Sequence, residues 1–295
     1  VAQRGTSADG TSAYLIDRWK KQSATTGNVA VSQDTDAPTG FINSQKMLAS
    51  GASSFFQTGQ QIEYKNFYPL LGKAASLSFY YKSDVDVIIR IRTGTSTADS
   101  VVLFTSSVAS TATVSPSADW VQYVHNFSVA TNVTSLSIEF ATGTLANTDF
   151  VFLAGVQLEQ GTFDTNSIAP FQHESFGDNL LRCQRYFQIQ ASGASGSGYA
   201  NGSFRTNANA QITHHFKTDM RTSPTCTQIA GSNMIAHDTA DGNNITVTSI
   251  DSVLFNSVGG VIIAYNLSGT SASAGDGCWL YNTGSTPGVT FNSEL

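Results

Sequence analysis

Ser76 to Arg92 reads SLSFYYKSDVDVIIRIR, and the order of residues in it decides the fold. Leu77, Phe79 and Tyr81 alternate with Ser76, Ser78 and Tyr80. After a polar break, Val85, Val87, Ile89 and Ile91 alternate with Asp86, Arg90 and Arg92. Successive side chains of an extended chain point to opposite faces, so a period of two puts each apolar set on one buried face of a sheet. One buried face and one hydrated face mark an antiparallel sheet packed against a second one.

The same pattern recurs on both sides of this stretch. Val121, Tyr123, His125, Phe127 and Val129 form one run, and Leu136, Ile138 and Phe140 another, with Ser135, Ser137 and Glu139 opposite. Phe150, Phe152, Ala154, Val156 and Leu158 read as one strand face. Upstream, Asp17 to Lys20, Met47 to Ala49 and Gln60 to Tyr64 read as shorter strands, and Pro69 and Gly72 bracket a turn. Downstream, Ile212, His214 and Phe216 alternate, as do Ile245 with Val247, and Val261, Ile263, Tyr265 and Leu267. Between the two halves Phe176, Leu180, Cys183 and Phe187 fall at helical spacing. This predicts a single helix over about 174–184, with Ser175 or Asp178 as its cap. The expected fold is all-β: a jelly-roll-like antiparallel sandwich over 1–170, a helical linker over 171–184 and a smaller β-sandwich over 185–295.

Composition agrees. The 295 residues include only 12% charged side chains, while 40% are hydrophobic and 11% aromatic. That is too apolar for disorder and too poor in Lys and Glu for a helical protein. Ser and Thr make up roughly a quarter of the chain. The net charge is -6 and no basic run exceeds short pairs such as Lys20-Lys21, which argues against nucleic acid or anionic lipid as a partner. No apolar run reaches membrane-spanning length, so no membrane insertion is expected. Val1 opens the sequence without a signal-peptide pattern, as a chain that begins inside a longer one does.

Tests for chemistry find no catalytic motif. Cys183, Cys226 and Cys278 are far apart and form neither a zinc pattern nor a disulfide framework; all three read as buried or half-buried thiols. Gly193, Gly196 and Gly198 read as a flexible loop, because no helix follows to bind phosphate. His214 and His215 are adjacent, so one points in and the other out, and they share no metal. Asp84 and Asp86 share one strand face and are the candidate ligands for a calcium ion, and Asp276 is isolated. Among the acids in strands, Glu63, Glu139 and Glu159, Glu139 is expected to face solvent. Trp19 and Trp120 read as structural, and Trp279 is either a core anchor or a surface on which sugar stacks. Tyr64, Tyr68, Tyr80 and Tyr81 are the candidate ligand-binding residues.

Several segments taken together resemble a known family. They are Ala2 to Ser7, Asp17-Arg18-Trp19, Gln60 to Glu63, Leu71-Gly72-Lys73 before Leu77, and Trp120 to Tyr123. Most telling are Val156-Gln157-Leu158-Glu159-Gln160-Gly161, Pro170 to Leu180 and Cys183-Gln184-Arg185-Tyr186-Phe187. Met220 to Thr225 and Ser293-Glu294-Leu295 extend the likeness to the C-terminal part. The series resembles bacteriophage and prophage tail-fibre or virion-appendage proteins that carry a carbohydrate-binding-module-like jelly roll, although Asn179 stands where an acid is common. The resemblance implies a non-enzymatic virion subunit outside the cell, assembled with copies of itself, often as a trimer, and with other virion proteins. It also implies attachment to a host-surface glycan. No cofactor is expected, save that jelly-roll binding modules often carry a structural calcium. A purely architectural capsid or tail decoration is the alternative reading, and a secreted bacterial carbohydrate-binding module is another.

Overall fold

The computed structural model describes residues 7–8, 12–14, 18–24, 28–96, 103–190, 198–229, 233–269, 272–284 and 288–294. Ala2 to Thr6, Asp17, Gly193, Gly196 and Leu295, on which some of the expectations above fall, lie outside the described residues. The chain divides into two units, residues 1–174 and 175–294.

Among the described residues the N-terminal unit has twelve strands: β1 (Ser7–Ala8), β2 (Ser12–Tyr14), β3 (Lys20–Ser23), β4 (Val29–Asp34), β5 (Ser44–Ala49), β6 (Phe56–Ile62), β7 (Ala74–Ser83), β8 (Val87–Gly94), β9 (Val108–Val114), β10 (Ser117–Ser128), β11 (Ser135–Ala141) and β12 (Phe150–Gln160). They form two six-stranded antiparallel sheets, ordered β1-β4-β5-β12-β7-β10 and β2-β3-β6-β11-β8-β9. The sheets pack as the jelly-roll-like sandwich that the alternation predicts. Leu77, Phe79 and Tyr81 of the first sheet and Ile89, Ile91, Ile138 and Phe140 of the second share one core. Phe79 meets Phe140 edge-on across the two sheets at 4.7 Å.

Two local expectations are corrected here. The strand expected at Gln60 to Tyr64 ends at Ile62, and a short helix α1 (Tyr64–Phe67) followed by a 3-10 turn (Tyr68–Leu70) takes its place. In β12 the five apolar residues do not share a face. Register shifts between Ala154 and Gln157 where β12 pairs with β7, and Gly155 there has φ +58°. A bulge of this kind inserts one residue and swaps the faces beyond it. Val151 and Leu153 face the sandwich core before it, Val156 and Leu158 after it, and Phe152 and Ala154 lie on the other face of the sheet, opposite Lys82 and Tyr80, buried there by covering side chains.

The C-terminal unit begins with α2 (Phe176–Gln184). Its cap is Ser175, whose Oγ accepts from the Asp178 amide at 3.1 Å. The apolar stripe read from the spacing is only partly buried: Cys183 is inside and Phe176 is 71% exposed. Among the described residues nine strands follow: β13 (Phe187–Gln190), β14 (Ala200–Thr206), β15 (Asn209–His215), β16 (Thr225–Gln228), β17 (Met234–Asp238), β18 (Asn244–Asn256), β19 (Gly260–Leu267), β20 (Gly277–Asn282) and β21 (Val289–Asn292). All pair antiparallel. β13, β21 and β16 make a three-stranded sheet, and the other six close into a barrel, β14-β15-β19-β18-β17-β20. Period two is common to a sandwich and a barrel; pairing of β20 with β14, nearly eighty residues earlier, is what closes it. Phe204, Ile212, Ile263, Tyr265 and Leu280 fill the interior. His214 is fully buried and His215 exposed, as their adjacency requires.

Candidate functional site

The sequence-derived tyrosines do not assemble into one face. Tyr64 and Tyr68 meet edge-on at 5.6 Å on the turn after β6, Tyr64 half-buried and Tyr68 59% exposed. Tyr81 is 6% exposed and belongs to the core, its hydroxyl donating to the Ser115 carbonyl at 3.1 Å. Burial raises its phenol pKa, with Tyr123 adding to the shift. Tyr80 lies on the opposite face of β7, half-buried, 5.5 Å from the ring of Phe41. Phe41 also meets Phe171 at 5.0 Å and His173 at 5.1 Å. The segment after β12 therefore lies over this part of the first sheet. Gln157 anchors it, accepting from the Gln172 amide at 2.8 Å. Trp120, as expected, is structural: its Nε1–H donates to Asp36 at 2.9 Å and its ring packs on Phe152. Trp19 packs against Phe140 in the core.

Asp84 and Asp86 are exposed in the turn between β7 and β8, not on a strand face. Asp84 accepts from the Phe150 amide at 2.7 Å. Neither belongs to a group of metal-ligating side chains among the described residues.

The outer face of the second sheet is largely polar. Register places Tyr14, Lys20, Gly59, Glu139, Arg90 and Thr111 in one row across five strand pairings. A second row runs Gln22, Gln57, Ala141, Ile88 and Thr113. Arg90 donates to Gln57 at 3.3 Å and Gln57 to Gln22 at 2.6 Å, so the amides and the guanidinium form a chain along the sheet. Glu139, expected to be solvated, is fully buried. Its Oε2 accepts from Arg92 Nε at 2.7 Å and its Oε1 from the Phe104 amide at 2.6 Å. Arg92 also donates to the Ser106 carbonyl. Residues 103–106 thus seal this end of the face, and Gly59 makes room: a Cβ there would lie 2.9 Å from Glu139 Cγ.

The second surface is on the outside of the barrel. Cys278 and Leu280 of β20 point inward, so Trp279 and Tyr281 share the other face, where Trp279 is half-buried and Tyr281 is buried beneath its neighbours. Their rings lie 5.0 Å apart at 36°. His237, the β17 partner of Trp279, brings its ring to 4.9 Å and is held by Asn244 at 2.7 Å from Nδ1. Asn201 is the partner on β14. The half-buried indole borders an open groove of about 480 Å³ lined by Gly198, Tyr199, Ala200 and Asn201. Gly198 lies against the ring, and a Cβ there would stand 2.7 Å from Cε3. Tyr199 Oη is buried without a partner, and burial pushes its phenol well up, so it remains a neutral hydroxyl. Trp279 is therefore half-buried on the outer face and is not an anchor of the barrel core. The signal for Tyr281 was in the sequence, since two aromatics two residues apart on a strand share a face. His237 and Asn201 come from distant strands and left no such signal.

Cys226 and Cys278 offer no thiolate at neutral pH. Burial pushes Cys226 up to about 11, and burial with Asp238 nearby pushes Cys278 up to about 12. Among the described residues no helix is long and apolar enough to cross a membrane.

No family model matches the chain, and no curated protein matches it. Solved structures do. One described as "CBM4 structure and function" is 16% identical, the match covering 41% of this chain and 73% of that one, with a TM-score of 0.33. The CBM22-2 xylan-binding domain from Paenibacillus barcinonensis Xyn10C is 12% identical over 52% of this chain and 98% of that one, with a TM-score of 0.35. The enzymatically active domain of bacteriophage CBA120 tailspike protein 4 is 14% identical over 48% of this chain, with a TM-score of 0.39. The match spans 19% of that tailspike chain.

Proposed function

We propose that this protein is a non-enzymatic glycan-binding subunit of a bacteriophage tail fibre or virion appendage, acting outside the cell in host attachment. The observation that carries the binding is the outward, half-buried Trp279, flanked by His237 and Asn201 beside an open groove. An indole face takes up the apolar C–H face of a pyranose ring, while Asn and His side chains serve its hydroxyls. Such a contact is weak in one copy. Repeated about a symmetry axis, it gains avidity through effective concentration.

The assembly reading rests on the sequence resemblance and on the end of β18. Val253, Leu254 and Phe255 are consecutive and 41%, 43% and 60% exposed, and Val258 of the following turn is 41% exposed. Register with β19 shifts between Val253 and Phe255, so the alternation is broken there and the ribbon shows a run of exposed apolar side chains. Contact with further copies of the chain would cover it, and a closed homotrimer is the arrangement proposed. Light scattering on the purified chain is expected to return a trimer, and a stable monomer would overturn the fibre assembly.

Glycan-array binding by the wild type is expected to fall about tenfold or more in Trp279→Ala and to persist in Trp279→Phe, with unchanged circular dichroism. Arg90→Ala tests the polar face of the N-terminal sheet. Loss there with Trp279→Ala intact would move the site to that sheet and sink the platform. Wild-type chain that binds no glycan would leave the architectural reading, which the exposed β18 ribbon favours.

A further inference from the structure

We propose that the C-terminal barrel holds a divalent cation of the hard, oxygen-seeking kind, calcium, between Asp238, Asp241 and Asp276. One carboxylate oxygen from each of the three lies within 4.8 Å of the others. Oxygens bound to one calcium at about 2.4 Å can be at most twice that apart, so all three can ligate a single ion.

The arrangement comes from two separate loops. Asp238 ends β17, and the turn into β18 is tight. Asp238 Oδ1 accepts from the amides of Ala240 at 2.9 Å and Asp241 at 3.4 Å, and Gly242 adopts φ +71°. Asp276 enters from the loop before β20, where Gly275 has φ +98°. Cross-strand bonds hold the two loops together: the Thr239 amide and Oγ1 both donate to the Gly277 carbonyl, at 3.0 and 2.8 Å.

The second observation is the state of Asp238. It is 0% exposed, and its Oδ2 is buried with no donor facing it. A carboxylate out of water with an unpaired oxygen is costly unless a positive charge stands opposite. Among the described residues no lysine or arginine forms an ion pair with any of these three acids. Asp241 is exposed and Asp276 half-exposed, so the cluster opens to solvent on one side and an ion can enter with its waters. Three carboxylates supply three to six of the six to eight oxygens that calcium takes, and water completes the shell. Oxygen ligands without imidazole or thiolate select calcium over zinc or copper.

The site also has a place in the barrel. His237 and Asp238 pair with Trp279 and Cys278 respectively. The ion would therefore clamp the end of the same two strands that carry the aromatic platform. The inference stands on the acids alone and does not need the glycan reading.

The test is calorimetry of the full chain after chelation, with calcium chloride or magnesium chloride added back. Calcium at millimolar concentration is expected to raise the melting of the C-terminal unit by about 5 °C or more, magnesium by less. In the variant carrying both Asp241→Asn and Asp276→Asn the calcium shift is expected to vanish. Both side chains reach solvent, and neutralising them relieves repulsion, so the chelated variant should melt no lower than the chelated wild type. Terbium luminescence, displaced by calcium in the wild type and absent in the variant, reads the same site without unfolding. No calcium shift in the wild type, or an equal shift in the variant, would overturn the proposal.

Discussion

Replacing Arg92 with Met is expected to destabilise the N-terminal unit by about 3–5 kcal/mol, lowering its melting temperature by roughly 10 °C. The reason is what remains behind. Glu139 is fully buried, and its one cationic partner among the described residues is the Arg92 guanidinium at 2.7 Å. Without Arg92, the carboxylate keeps only the Phe104 amide and cannot reach water. The Ser106 carbonyl loses the Arg92 donor as well. Adding Glu139→Gln to Arg92→Met removes the stranded charge and leaves an oxygen to accept from Phe104. The double variant is expected to lose less than the sum of the two singles by about 2 kcal/mol. Calorimetry on the four proteins measures this directly. Strictly additive losses would mean that the pair is not coupled.

Acid is expected to weaken the C-terminal unit through His214. Its ring is buried, and burial, with a smaller contribution from His215, lowers its pKa to about 3. Hydrogen bonding specifies the neutral form. Gln190 Nε2 donates to the His215 carbonyl at 2.7 Å, which turns Gln190 Oε1 toward His214 Nδ1 at 2.6 Å. Nδ1 must then carry the proton, leaving Nε2 to accept from the Tyr265 hydroxyl at 2.9 Å. Below pH 6.5 the unfolded chain takes up a proton that the folded chain refuses. The stabilisation is thus complete above pH 6.5 and lost as pH falls toward 3, at about 1.4 kcal/mol per pH unit and so about 3 kcal/mol by pH 4. His214→Gln is expected to flatten this slope whatever its stability at pH 7. Urea titrations of the C-terminal transition between pH 7 and pH 4 give the answer. A slope equal in the two proteins would show that His214 is not its source.

Both residues show where reading the sequence succeeds and where it stops. That His214 points in while His215 points out follows from adjacency on a strand, and burial bears it out. For Glu139 the same rule correctly put it on the face away from Leu136 and Phe140 and then misjudged that face as wet. Residues 103–106 cross over it, and alternation along β11 carries no information about a segment more than thirty residues away. Tyr81 was legible as a partner of Leu77 and Phe79, and its burial in the core follows from that, not from any ligand. Asp84 and Asp86 were placed on a strand because the apolar alternation runs through them, but the chain turns there. The three acids that do converge are far apart in sequence: Asp276 meets the β17–β18 turn only because β20 pairs with β17.

Local steric rules, acting on neighbours in the chain, were enough to determine an all-β protein with antiparallel sheets and one capped helix between two halves. The pleat turns each side chain away from the next, and Ser175 needs only the amide three residues on. Tertiary structure decided the rest. Closure of the second sheet into a barrel depends on β14 finding β20. Reversal of faces in β12 depends on Gly155 taking a backbone angle that a side chain would strain, with Phe41 filling the space where its Cβ would stand. Which outward faces stay open depends on segments that cross them from elsewhere, because burial is a property of what lies opposite a residue and not of the residues beside it.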